Sequence, residues 1–217
     1  SNEFIIALLG VAGAGKTVLA RVFSKKIKSQ IVWEVNAESE ETIINSFEDL
    51  AYVLARREEE LKEVISLKKI DIRYKKHKLL SFIKRKLEEA NSWIIIYDNL
   101  VDISSLQFFF PALSSSKGKG TLFITTQNSN IRQLISLKNS KIIDIGKIDP
   151  KEKKLLFKRV VKDRLSIDES ELDSFIEKIP SYPMDIIVAA NSLISSELLY
   201  DEYISRIYSK KKEYIPE

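Results

Sequence analysis

A glycine-rich loop between a strand-like stretch and a helix-like stretch constrains this chain more than any other feature. The apolar run from Phe4 to Leu9 is typical of a buried strand. Four residues then follow the spacing G-x-x-x-x-G-K-[ST]: Gly10, Gly15, Lys16 and Thr17. Glycines let backbone N–H groups turn inward around an anion, and the following helix points the positive end of its dipole at the same place. The spacing therefore predicts a strand, a phosphate-binding loop and a helix.

Each part of this motif has a role toward a bound nucleotide. We expect Lys16 to neutralise the β and γ phosphates and the Thr17 hydroxyl to ligate Mg²⁺. The residues predicted to surround the phosphates are Gly10, Ala12, Gly13, Ala14, Gly15, Lys16, Thr17 and Val18. The alternative is a glycine-rich turn without a ligand, and the strand before the loop and the helix after it count against that interpretation.

A second apolar stretch ends in a carboxylate. Residues 92–100, SWIIIYDNL, read as a buried strand with Asp98 near its carboxyl end. Ligands of an open α/β sheet bind at the carboxyl ends of its strands. Asp98 therefore has the residue type and the position to hold Mg²⁺, directly or through water, opposite Thr17.

Strand-like and helix-like stretches alternate up to residue 149, which predicts a three-layer α/β/α fold around a parallel sheet. Helical periodicity follows the loop, covers residues 38–54 and 78–90, and returns briefly at 131–137. Residues 58–78 carry a basic patch that we interpret as a solvated connector, with a nucleic-acid surface as the alternative. The predicted strands are residues 4–9, 31–37, 92–100, 120–128 and 141–146.

The strand-like runs end at Asp149. Pro150 suits the first turn of a helix, and further helical patterns begin near Asp168, Pro183 and Leu198. We therefore expect a nucleotide-binding domain over residues 1–149 and a small all-helical subdomain of four helices over residues 150–217.

Composition excludes several kinds of site. The absence of Cys and the single His77 argue against a thiolate or histidine metal site and against Ser-His-Asp chemistry. No apolar run approaches the roughly twenty residues of a membrane span, and the start lacks the basic residues of a secretory signal. The net charge of +4, from 35 basic and 31 acidic residues, is a weak lean toward acidic partners that nucleotide phosphate could satisfy.

These motifs together resemble the NB-ARC nucleotide-binding module of the STAND class of P-loop signalling ATPases. GVAGAGKTVLA is similar to the phosphate loop of that family, and VWEVNAESEETIINSFEDLAYVLA to its second strand and helix. WIIIYDNLVDISSLQFFFPAL and GTLFITTQN resemble the Walker B and sensor strands. IPSYPMDIIVAANSL is similar to the segment whose proline, here Pro183, packs near the adenine. The resemblance implies a P-loop NTPase fold, a five-stranded parallel sheet ordered 2-3-1-4-5 in chain numbering, and ATP or ADP with Mg²⁺ as cofactors.

The chain departs from the family at positions that matter for hydrolysis. The resemblance assigns catalytic contributions to Lys16, Asp98 and Gln127, yet Gln127 stands where the family usually has an arginine that senses the γ phosphate. A glutamine can hydrogen-bond a phosphate but cannot neutralise its charge. Asn99 stands where motor ATPases commonly have a catalytic acid. We therefore expect slow or absent hydrolysis.

The leading functional hypothesis is a molecular switch in which adenine nucleotide binds between the sheet edge and the helical bundle. The family's winged-helix subdomain and first adenine-contacting segment are missing, and Ser1 replaces an initiator Met, so we expect a piece or a reduced version of a larger signalling or effector protein. Protein partners or self-association through flanking domains are expected, without membrane insertion or nucleic-acid binding. The expected location is the cytoplasm, or a host cytosol for an effector.

Two other classes remain open. One is an active AAA-like motor ATPase associated with nucleic acid, which would need a catalytic acid after Asp98. The other is a scaffold that has lost its nucleotide and acts through surfaces such as residues 68–78. A GTPase is less well supported, because the chain lacks an Asn-Lys-x-Asp guanine signature.

Overall fold

The structure is a computed structural model of the chain, which divides into two compact units. One unit comprises residues 1–10 and 16–145, and the other comprises residues 11–15 and 146–217. The residues described are 4–67, 69–102, 104, 109, 119–134, 140–164, 168–196 and 199–213. Most of the SSLQFFFPAL part of the Walker B-like stretch, residues 104–113, and the end of the predicted helix 131–137 lie outside them.

A five-stranded, all-parallel sheet forms the centre of the first unit, as the sequence predicts. The three inner strands are buried in their middle because their sequences contain continuous apolar runs, whereas the two edge strands are only partly buried. The strand bounds are β1 Phe4–Leu9, β2 Ile31–Asn36, β3 Ser92–Leu100, β4 Lys119–Thr126 and β5 Ser140–Asp144.

The lateral order of the strands is β2-β3-β4-β1-β5, so the predicted order 2-3-1-4-5 is wrong in the places of β1 and β4. Thr121 of β4 pairs with Phe4 of β1 on one side and with Ile94 of β3 on the other. The first helix after β1 packs on β4 and β3 as well as on β1. The connection from β1 through α1 to β2 therefore passes over the positions of β4 and β3. Strand β4 occupies the position directly beside β1.

Helices cover both faces of the sheet and complete the three predicted layers. On one face, Ala20 of the first helix packs with Leu8, Ile94 and Phe123. On the other face, buried residues of the next three helices form a larger core with the sheet. The helix bounds are α1 Lys16–Lys26, α2 Glu40–Leu54, α3 Glu58–Leu67, α4 Ile72–Glu89 and α5 Ile131–Leu134.

Two helical stretches differ from the sequence-based expectation. Residues 58–78 contain α3 and the first turns of α4, because Val64 and Leu67 are buried in the core and Asp71 caps α4 by accepting from the Arg73 N–H. In α1 the apolar residues at helical spacing do not form the buried face. Val18, Val22 and Phe23 of α1 are exposed, and so is Ile27 just after the helix.

The helical part of the second unit has a hydrophobic core of its own. Phe157, Phe175 and Ile186 lie in that core, each at most 2% exposed. Asp149 and Asp168 cap the first two helices, and Pro150 occupies a first-turn position. The helix bounds are α6 Pro150–Val161, a short 3₁₀ helix Lys162–Arg164, α7 Glu169–Lys178, α8 Pro183–Ser196 and α9 Tyr200–Glu213.

Four helices therefore follow residue 149 in the described part of the chain, in agreement with the predicted fold class. The fourth runs over Tyr200–Glu213 rather than starting at Leu198, which lies outside the described residues. Among the described helices, none combines the length and the apolar character that crossing a membrane requires.

Candidate functional site

The loop between β1 and α1 has the backbone that its glycines permit. Gly13 and Gly15 have φ angles of 74° and 90°, in the left-handed region that other residues rarely adopt. At Gly10 a Cβ atom would lie 2.5 Å from the Ile145 carbonyl oxygen, so this position has no room for a larger residue. Helix α1 begins at Lys16, directly after the loop. The local geometry is that of a backbone cradle at a helix N-terminus, which suits an anion.

The Lys16 side chain bonds to the first glycine of the motif. Its Nζ donates to the Gly10 carbonyl oxygen at 2.9 Å, and the residue is only 8% exposed. Burial lowers the pKa of Lys16 below its ordinary value, while the negative charge of Asp98 acts in the opposite direction. The ammonium group is therefore placed beside the loop backbone, where a phosphate could attract it.

Thr17 and Asp98 are in direct contact. The Thr17 hydroxyl donates to Asp98 Oδ1 at 2.6 Å. Thr125 of β4, only 1% exposed, donates its own hydroxyl to the same oxygen at 2.7 Å. Strand β4, between β1 and β3, thus supplies a second hydroxyl at the carboxyl edge of the sheet. Thr125 was not among the predicted site residues, and the signal for it was its place at the end of the fourth strand.

Asn99 interrupts the end of β3 next to Asp98. It has a φ of 55°, and the pairing of β3 with β4 shifts register between Tyr97 and Leu100. Its backbone N–H donates to Thr125 Oγ1 at 2.8 Å, and its side-chain Nδ2 donates to Glu38 Oε1 at 2.8 Å. Glu38 was also not predicted, because it follows β2 and nothing local indicates that it reaches Asn99.

Gln127 is the first residue after β4, and its side chain is exposed. It therefore lies at the same edge of the sheet as Thr125. The hydrogen bonds of the described residues connect Thr17, Asp98, Thr125 and Asn99, but they do not include the Gln127 side chain in that set.

Pro183 and Met184 begin α8 in the second unit, which also contains loop residues 11–15. The Met184 N–H donates to the Gly13 carbonyl oxygen at 3.2 Å. A Cβ atom on Gly15 would lie 3.8 Å from Pro183 Cγ. The first turn of α8 therefore contacts the tip of the phosphate loop directly.

The side chains around Asp98 fit Mg²⁺ in their chemistry. Mg²⁺ prefers oxygen ligands and is usually held by one or two carboxylates together with substrate phosphates and water. Asp98 offers a carboxylate, Thr17 offers a hydroxyl, and the two are in contact. In the described part of the chain, no group of three or more His, Cys, Asp or Glu side chains could form a metal site without a substrate.

Comparison with protein families identifies the same module. The NB-ARC domain family matches residues 1–166. A search of curated proteins found no match.

Two solved structures share the fold. One is a STAND protein with a tetratricopeptide repeat sensor from Pyrococcus horikoshii, with a TM-score of 0.54, 17% sequence identity and 99% of this chain covered. Another is a chain in the structure of Drosophila ORC bound to DNA, with a TM-score of 0.59, 14% identity and 98% of this chain covered. This chain spans 30% of the first protein and 63% of the second. The loop geometry, the Thr17–Asp98 contact and the match over residues 1–166 together show that the chain belongs to the NB-ARC family.

Proposed function

We propose that this chain is the nucleotide-binding module of a molecular switch and binds ATP or ADP with Mg²⁺. The observation that carries the proposal is the contact between Thr17 Oγ1 and Asp98 Oδ1, 2.6 Å long, at the end of a loop whose glycines have positive φ angles. The loop supplies donors for phosphate, and the paired oxygens supply ligands for a cation. A glycine-rich turn without a ligand would require neither the loop donors nor the paired Thr17 and Asp98 oxygens.

In this proposal the phosphates lie in the loop, and Lys16 exchanges its bond with the Gly10 carbonyl for the β and γ phosphates. Thr17 and Asp98 hold Mg²⁺, which when bound would neutralise charge on the phosphates. Pro183 lies near the adenine, as the family resemblance implies. The proposed phosphate contacts are Gly10, Ala12, Gly13, Ala14, Gly15, Lys16, Thr17 and Val18.

The switch part of the proposal rests on the contact between α8 and the loop. Because the Met184 N–H bonds to the Gly13 carbonyl, a change in the loop backbone on nucleotide binding must alter the first turn of α8. Residues 1–149 would then be the nucleotide-binding domain and residues 150–217 the responsive helical subdomain. Small-angle scattering of the ATP-bound and ADP-bound forms tests this part, and identical profiles would contradict it.

Hydrolysis is proposed to be slow. Gln127 can hydrogen-bond a γ phosphate but adds no positive charge to stabilise the transition state. The whole protein would act as a signalling component in a cytosol, with protein partners recruited through segments outside this module.

Isothermal titration with ADP and ATP tests the binding site. We expect Lys16→Ala to weaken nucleotide binding about 10- to 100-fold, because it removes a charged donor to phosphate. Asp98→Asn should weaken binding only when Mg²⁺ is present. Lys25→Ala removes an exposed lysine of the same helix and serves as the matched control, with unchanged affinity. A wild-type protein that binds neither nucleotide would overturn the proposal and favour an interaction scaffold.

The shared fold with an ORC chain keeps an AAA-like ATPase as a second candidate. Turnover of several per second or faster in a steady-state assay, absent in Lys16→Ala, would favour it. A nucleic-acid surface over residues 68–78 has less support, because Lys75 and Lys76 form ion pairs with Glu48 and Glu40 of α2.

A further inference from the structure

Glu38 brings a second carboxylate to the carboxyl edge of the sheet. It lies two residues after the end of β2, and its Oε1 accepts a hydrogen bond of 2.8 Å from Asn99 Nδ2. Asn99 is the neighbour of Asp98, and it occupies the position where a catalytic acid would follow the metal ligand. A carboxylate from the segment after β2 therefore lies beside position 99.

Backbone hydrogen bonds fix the segment that carries Glu38. The Ala37 N–H donates to the Asp98 carbonyl oxygen at 2.8 Å, and the Val101 N–H donates to the Ala37 carbonyl oxygen at 3.4 Å. The Glu38 N–H donates to the Asn36 side-chain oxygen at 3.1 Å. The segment is therefore bonded to the end of β3 on both sides of Asn99, and Glu38 has little freedom to move away.

Asn99 is also linked to Asp98 through Thr125. Its N–H donates to Thr125 Oγ1, and the same hydroxyl donates to Asp98 Oδ1. With a φ of 55°, the backbone N–H of Asn99 bonds to Thr125 while its side-chain amide bonds to Glu38. A chain of hydrogen bonds therefore connects Glu38 to Asp98, and a change at either end reaches the other through two residues.

Glu38 and Asn99 differ in their ability to accept a proton. A neutral side-chain amide cannot accept a proton from water, whereas a carboxylate can, and it has about four lone-pair positions, of which the Asn99 amide uses one. General bases of this type act through a water molecule within hydrogen-bond reach. Glu38 is exposed to solvent, so water can reach it.

We propose that Glu38 is the general base for the slow ATP hydrolysis of this module and that Asn99 is its positioning residue. The inference rests on the proposed nucleotide-binding function. In the step, Glu38 takes a proton from water while the water oxygen forms a bond to the γ phosphorus. The bond between that phosphorus and the β–γ bridging oxygen breaks, its electron pair stays with ADP, and phosphate is the second product.

Single-turnover hydrolysis of ATP, with protein in excess, tests the role of Glu38. We expect Glu38→Gln to lower the rate about a hundredfold or more, the usual contribution of a general base. Asn99→Gly should lower it about tenfold, because the amide is lost while glycine accepts the same φ. Both variants should bind ADP within twofold of wild type, which shows that they are folded. Glu41→Gln, which removes an exposed charge three residues away, is the matched control and should hydrolyse ATP normally.

A binding measurement supports the same assignment without turnover. Aluminium fluoride bound beside ADP and Mg²⁺ mimics the γ-phosphoryl group in the transition state, and a water molecule takes the attacking position. Wild type should bind this mixture more tightly than ADP alone, and Glu38→Gln should lose that gain in affinity.

Four results would overturn the inference. Normal hydrolysis by Glu38→Gln, an equal loss in Glu41→Gln, or wild type that binds ATP without hydrolysing it would each remove the role of Glu38 and leave nucleotide binding intact. Wild type that binds no nucleotide would overturn the proposed function as well.

Discussion

Gly13 holds a backbone conformation that another residue could adopt only with strain. Its φ is 74°, and a Cβ atom would lie 2.8 Å from Met184 Cβ. We expect Gly13→Ala to lower the free energy of unfolding by about 1–2 kcal/mol, the usual cost of the left-handed conformation for a residue with a side chain. Urea unfolding measures this change. Nucleotide affinity should also fall, because the loop must move to relieve the contact with Met184.

Gly146→Ala is the matched control for this change. A Cβ at Gly146 meets no atom within 4 Å, so its substitution should stay within about 0.5 kcal/mol of wild type. If Gly13→Ala also left the free energy of unfolding unchanged, the left-handed backbone at Gly13 would not describe the protein in solution.

At the scale of single residues, the sequence predicts those parts of the site that are close together in the chain. Lys16 and Thr17 follow from local spacing, and Asp98 follows from its place at a strand end. Thr125 does not, because it lies across the β3–β4 pair, where the predicted order places β1 instead. Glu38 does not either: the predicted order does put β2 beside β3, but the contact with Asn99 joins side chains 61 residues apart, which no local spacing indicates.

Among the helices, α3 is joined to α4 by a largely buried ion pair. Lys86 is 9% exposed, and its Nζ bonds to Glu60 at 2.5 Å and to Glu89 at 3.1 Å. The hydrogen bond from Lys86 is the main cause that lowers the pKa of Glu60 from 4.5 to about 2, and the N–H groups of Arg56 and Arg57 add to it. The pair therefore adds a polar contact between α3 and α4 to the apolar packing of Val64 and Leu67.

We expect this contact to stabilise the fold above the ordinary pKa of a glutamate and to be lost in acid. A carboxyl with a lowered pKa in the folded state contributes stability that disappears as pH falls through the range from 4.5 to about 2. The difference in unfolding free energy between wild type and Glu60→Gln should therefore be largest near neutral pH and shrink below pH 4.5.

Glu58→Gln provides the control on the same helix. Glu58 pairs with Lys62 at 2.6 Å, but both side chains are more than 70% exposed, so water screens the pair. This variant should show little loss of stability at any pH. A difference for Glu60→Gln that stays constant with pH would contradict the ionic contribution.

At the same scale, hydrophobic patterns predict which elements exist better than how they are arranged. All five strands were predicted, yet β1 and β4 both have an apolar middle, so hydropathy cannot decide which lies beside β3. The outward-facing apolar residues of α1 show the same limit. Its buried positions are Lys16, Ala20 and Ser24, where small residues allow close approach to the sheet and the lysine serves the loop.

The whole molecule has separate hydrophobic cores for its two compact units. Phe157 lies in the core of the helical unit, where its ring packs 5.5 Å from that of Phe175. Both tryptophans, Trp33 and Trp93, lie in the sheet unit, so tryptophan fluorescence reports on that unit alone. Circular dichroism at 222 nm reports on helices in both units. The two signals together can therefore separate the unfolding of one unit from that of the other.

We expect Phe157→Ala to separate these two signals in urea. Removal of a fully buried phenylalanine leaves a cavity and costs about 3–5 kcal/mol, and this cost falls on the core that contains it. The circular dichroism transition should begin at lower urea, while the fluorescence transition should stay close to that of wild type. Phe47→Ala, an equally buried change in the sheet unit, should instead move the fluorescence transition. If both probes shifted together in Phe157→Ala, the two cores would unfold as one cooperative unit, and the expected separation of the two transitions would be contradicted.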